Sequence, residues 1–120
     1  MDVDFRNEPG YARARYSGPW SVDELIASVD LLADECRSRK RRRLIIDWMS
    51  LESKALSVLD RYRLGSCAFA LSEALERIAV ATPGEMIDPE KFGERVARNR
   101  GVNLRVFPEL EAARLWLLAD

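Results

Sequence analysis

Few side chains in this sequence could do chemistry, and most of them sit close together. Asp47 lies at the end of the apolar run RLIIDW at 43–48, Trp48 and Met49 follow it, and Ser50, Ser53 and Ser57 line the connection beyond. A lone carboxylate can accept loop N–H groups or face a partner, but glycosidic or acid-protease chemistry needs a second, differently tuned acid beside it. A serine at a helix start can cap the helix or accept a phosphoryl group, whose charge of about −2 a helix N-terminus accommodates. An exposed Trp48-Met49 pair would form the wall of a partner or ligand surface, and a buried one would fill the core. There is no histidine, which removes the commonest general base, the commonest metal ligand and every Ser–His or Cys–His pair. Cys36 and Cys67 lack CxxC spacing and fall on apolar faces of expected helices. They read as reduced core thiols of a cytoplasmic protein, not as a zinc site. Thr82-Pro83-Gly84-Glu85 has one glycine, no lysine and an acid where an anion would sit, so it reads as a turn and not a phosphate loop. No catalytic, cofactor-binding or metal-ligating set emerges, and the expectation is a non-enzyme without a cofactor.

A second cluster is cationic. In RSRKRRR at 37–43, six of seven residues are basic. Cations in the last turn of a helix offset its dipole, which accounts for Arg37 and Arg39. The surplus makes Arg39, Lys40, Arg41 and Arg42 a candidate patch for an acidic protein surface or anionic lipid, with a solvated loop as the plainer reading. Nucleic acid is disfavoured: 19 bases nearly cancel 20 acids for a net charge of −1, and no aromatics are interleaved with the arginines.

These residues need elements to hold them. The 120 residues, 48% hydrophobic, suit one domain over 1–120 with a single core. The opening MDVDFRNEPG does not resemble a signal peptide, and no apolar run approaches the ~20 residues of a membrane span. Residues 1–20 read as a hairpin turning at NEPG, with Ala12, Ala14 and Tyr16 on one face of its second strand and Tyr11, Arg13 and Arg15 on the other. Ser21 with Glu24 forms a capping box for a helix at 22–38. A buried strand follows at 43–48, then a helix at 57–74 with Leu59, Leu64, Cys67, Ala68 and Leu71 inward. Further on come a strand at 77–82, a helix opened by Asp88-Pro89-Glu90 and ended at Gly101, a strand at 103–107 and a last helix after Pro108. The order ββαβαβαβα predicts an α/β fold: a mixed, mostly parallel five-stranded sheet with an N-terminal hairpin and four helices. In such sheets ligands and partners meet the carboxyl ends of the strands. That places Asp47–Ser53 at the working edge and the arginines at the opposite one.

GPWSVDEL, RLIIDWMSLES, LDRYRLG, RIAVAT, VARNRGVNLRVF and EAARLWL, in that order, resemble the SpoIIAA-like group of small bacterial proteins in the STAS fold, also described as STAS/SEC14-like. The resemblance covers about 11–118 and rests on fold markers, not on a catalytic motif. It implies a regulatory, protein-binding domain in which the serine at the start of the helix after the central strand is phosphorylated, usually within an Asp-Ser-Ser-Gly-like run. Here the segment is Lys54-Ala55-Leu56-Ser57-Val58, and Ser57 is its only serine. The SEC14-like label implies instead a small carrier or sensor for an apolar, lipid-like ligand. The leading expectation is a partner protein bound at Asp47–Ser57 and the start of the second helix, with the carrier as the alternative. Assembly into a homo-oligomer stays open.

Overall fold

The computed structural model describes residues 1–120. Its elements are β1 (Asp2–Glu8), β2 (Tyr11–Gly18), α1 (Val22–Arg39), β3 (Arg43–Leu51), α2 (Val58–Cys67), β4 (Arg77–Ala81), α3 (Phe92–Asn99), β5 (Leu104–Phe107) and α4 (Leu110–Leu118). The order is the expected ββαβαβαβα. The five strands lie side by side in sequence order, β1 antiparallel to β2 and the rest parallel. The hairpin turns at Pro9-Gly10, where Gly10 adopts φ +88°, a conformation that costs glycine nothing.

The alternation in each strand sorts the core into two layers. Ala12, Ala14, Tyr16, Leu44, Ile46, Ile78, Val80 and Leu104 face inward with Leu25, Leu32 and Cys36 of α1 and Ala97 of α3. On the outer face, Ile45, Ala79 and Ala81 pack under Ala113 and Leu117 of α4. Because every parallel connection steps to the next strand in the same direction, α1 to α3 share one face, and α4 alone covers the other. That helix packs on β3, β4 and β5. Tyr11 at the start of β2 packs with that helix too, while Asp4, Arg6, Arg13 and Arg15 lie beyond it.

Three expected elements differ. The central strand runs on to Leu51 instead of stopping at Trp48, because β2 keeps pairing with it through Gly18 after β4 has ended. The expected helix at 57–74 is ten residues of α2 followed by a 3-10 turn at Ala68–Leu71, which carries Ala68 and Leu71 into the core. Leu59, expected inward, is 65% exposed. At 100° per residue it stands about 140° around the helix from Leu64, and α2 presents its Leu64 side to the sheet. The Asp88-Pro89-Glu90 segment is a turn and not a helix start. The Asp88 carboxylate accepts the N–H groups of Glu90 and Phe92, Lys91 takes a left-handed φ of 55°, and α3 begins only at Phe92.

Candidate functional site

Asp47 is 1% exposed. Its strand neighbours are Arg15 on β2 and Ala81 on β4, which places its carboxylate on the outer face. Oδ2 accepts from Arg13 Nη2 at 2.9 Å and lies 3.5 Å from Arg15 Nε, while Oδ1 accepts the Met49 N–H at 3.0 Å. The carboxylate is therefore engaged inside the sheet by two arginines and one backbone amide. Past Asp47 the register shifts: Arg15 pairs with Asp47 but Ser17 with Ser50, so Trp48 and Met49 together oppose Tyr16. Such a bulge re-aims side chains. Trp48 packs inward, its ring edge-on to Tyr16 with centroids 6.2 Å apart and its buried Nε1 without a partner. Met49 is exposed.

The connection to α2 is held at both ends. Trp20 Nε1 donates to the Glu52 carbonyl and Lys54 Nζ to the Trp20 carbonyl, with the Lys54 ammonium 4.7 Å from the indole centroid. Ser57 and Asp60 form a reciprocal capping box. Ser50 and Ser57 are exposed and Ser53 is half-buried. So the segment brings Met49, Ser50, Ser53 and Ser57 to the surface and withdraws Asp47 and most of Trp48 from it.

Behind α2 lies a feature no motif announced. A cavity of about 120 Å³ opens between the inner face of the sheet and α1, α2 and α3, and 17 of its 24 lining residues are hydrophobic. Tyr16, Ile46, Trp48, Val80 and Val106 form its floor and Leu64, Ala68 and Ala97 its roof, with Arg61, Asp88 and Lys91 also in the wall. The roof is shaped by a close helix crossing: a Cβ on Gly65 would stand 2.5 Å from the Gly93 carbonyl oxygen. Two glycines let α2 and α3 touch there, and Gly65 is the only buried residue of α2. Small residues at 65, 68, 93 and 97 were the one sequence signal available, and they signal close packing as readily as a space.

The polar groups around the cavity are mostly satisfied. The Tyr16 hydroxyl and Ser28 Oγ lie 2.6 Å apart, and Ser28 Oγ donates to the Leu25 carbonyl, so the tyrosine is the donor to the serine. Burial pushes the Tyr16 phenol up to about 12. Cys67, in the wall, donates to the Leu64 carbonyl. Burial raises its thiol to about 11, and that of Cys36 in the core likewise. Both cysteines are free thiols. Glu94 accepts the Val106 N–H with Oε1. No group of three or more His, Cys, Asp or Glu side chains is placed to hold a metal ion.

Three of the six bases in the run at 37–43 are paired at the other end of β3. Arg37 pairs with Asp34 at 3.6 Å, Arg39 with Glu35 at 3.0 Å and Arg43 with Glu76 at 3.1 Å. The Arg39 guanidinium also lies over the Phe5 ring, and Arg43 donates to the Leu117 carbonyl at the end of α4. Lys40 closes α1 in a left-handed conformation, its N–H directed at the Arg37 and Cys36 carbonyls. Lys40, Arg41 and Arg42 make no ion pair and remain the free part of the patch. No helix is long and apolar enough to cross a membrane. No family model matches the chain, and no curated protein matches it.

Proposed function

We propose that the protein is a non-enzymatic carrier or sensor that binds a small apolar, lipid-like ligand between its sheet and α1–α3. The cavity carries this reading. Ligand sites are typically concave and mostly apolar, with a few polar groups to fix orientation. A space of about 120 Å³ approaches the roughly 150 Å³ apolar cavity that takes up benzene. A ring or a stretch of acyl chain matches that size and lining. The resemblance to the SEC14-like branch agrees with it, and the cavity moves the carrier ahead of the partner-binding reading that led from sequence. The test is native mass spectrometry of protein purified from cells, together with titration of an apolar naphthalene fluorophore. Ala68→Phe, which projects a ring into the cavity, should weaken fluorophore binding at least about tenfold, since ~1.4 kcal/mol is tenfold. No co-purifying ligand, with fluorophore binding unchanged by the substitution, refutes the reading.

A second reading has its own support. Val58, Leu59, Tyr62 and Phe69 are exposed along one side of α2 and the turn after it, next to the capped Ser57. That is the start of the second helix, where the resemblance implies a partner protein and a phospho-acceptor serine. If α2 is the partner surface, Leu59→Asp should abolish capture of a specific protein while the far-UV spectrum stays unchanged. Equal recovery by wild type and variant sinks it.

A further inference from the structure

Independently of what the cavity holds, we propose that the uncovered outer face of β1 and β2 carries a carboxylate-binding site formed by Arg6, Arg13 and Arg15. In register, Arg6 stands directly across from Arg13, and Asp4 across from Arg15. Like charges directly opposed on a sheet are unfavourable unless an anion lies between them. The native acids engage only part of each guanidinium: Asp47 takes Arg13 Nη2 and lies near Arg15 Nε, and Asp4 takes Arg6 Nε. Arg13 Nε is buried without an acceptor, so a shift of this side chain toward the depression would give an unpaired donor its first partner. Asp4, Arg6, Arg13 and Arg15 alone line a small depression of about 20 Å³.

The chemistry of the occupant follows from charge and size. At the depression itself, three guanidinium groups against the carboxylates of Asp4 and Asp47 leave one positive charge, and Asp2 and Glu8 on the same face of β1 weigh further against the two charges of a phosphate monoester. A planar carboxylate also suits the guanidinium fork, which pairs with it through two parallel N–H donors. Asp47 holds the Arg13 fork in place before anything binds, so little of that side chain's freedom is lost on association. A depression this small takes the head group while the rest of the molecule stands off the sheet. The carboxylate is therefore either that of a small organic acid or that of an Asp or Glu side chain on another protein.

Arginine Nε–Hε resonances followed by NMR test this, with sodium acetate, a blocked Gly-Glu-Gly peptide and sodium phosphate as probes at matched ionic strength. The expected result is a saturable shift of the Arg13 resonance with acetate or peptide. Arg6→Gln and Arg15→Gln should each raise the dissociation constant by about tenfold, and Asp4→Asn should lower it by removing a competing carboxylate. Tighter binding of the peptide than of acetate assigns the occupant to a protein side chain, and equal binding assigns it to a free acid. A shift that is linear and reproduced by sodium chloride, affinities unchanged by both Gln variants, or phosphate binding tighter than either carboxylate overturns the proposal.

Discussion

A buried carboxylate shared by two arginines makes its removal and theirs unequal. Asp47 is enclosed, so Asp47→Ala strips Arg13 of its counter-ion and the Met49 amide of its acceptor, at a cost of about 3 kcal/mol, at the low end for a broken buried pair because both arginines reach water. Arg15 is half exposed and lies 3.5 Å from the carboxylate, so Arg15→Ala should change stability by less than about 1 kcal/mol. Urea unfolding of the two variants measures the contrast, and equal losses would show that the network is a surface ion pair. Sequence made Asp47 conspicuous, since an acid after four apolar or basic residues needs donors, and one of its donors is a backbone amide two residues on. Its arginine partners were not legible: they lie more than thirty positions away, and only the β2–β3 register brings them together.

Among the elements, α2 is the one whose role depends on absent side chains. Gly65→Ala would gain roughly 1 kcal/mol of helix propensity, yet its Cβ would meet the Gly93 carbonyl oxygen at 2.5 Å, and helix backbones must separate to admit it. Overpacking of this kind costs about 1–3 kcal/mol, so the variant should melt lower than wild type. Gly84→Ala, where an added Cβ meets nothing within 4 Å, serves as the neutral control in the same thermal melts. A Gly65→Ala protein as stable as wild type would mean that α2 is free to shift and the roof is not fixed by this crossing. The same crossing explains where element prediction failed. Apolar spacing located the helix, but the buried side was chosen by a glycine contact with α3. Leu59 was thus left outside, and Asp88 and Lys91 reset the start of α3 by side-chain and left-handed backbone geometry that periodicity does not encode.

Across the whole molecule, the mixed sheet, its N-terminal hairpin and the count of helices were legible, because alternation and helical spacing report directly on burial. The cavity was not, since a void is a property of several elements packed together and of no residue alone. Burial in the inner core, of which the cavity is one part, still leaves a global signature. Tyr16 is raised from 10.0 to about 12, and Cys36 and Cys67 from 9.0 to about 11, in each case chiefly by burial. All three are neutral when protonated, so between about pH 9 and 12 the unfolded chain releases protons that the folded chain retains. The unfolded state then binds fewer protons, and stability falls as pH rises. Their contribution is complete below about 9 and is lost through about 11–12. Urea titrations across that range should show the decline, and a Cys36→Ala, Cys67→Ala double variant should show a shallower one. A decline of equal slope in both proteins would assign it to other groups.

The sheet is laid out in the order in which the chain is made, β1 to β5. No strand has to be inserted between two already in place, and each new one can join the open border left by its predecessor while the rest is still being synthesised. The two borders of the finished sheet are then its oldest and youngest strands. Each is guarded differently against pairing with a stranger: β1 by the charges of Asp2, Asp4, Arg6 and Glu8, and β5 by being only four residues long. Growth at one border thus leaves a sheet whose two sticky margins are protected by different means, charge on its first strand and brevity on its last.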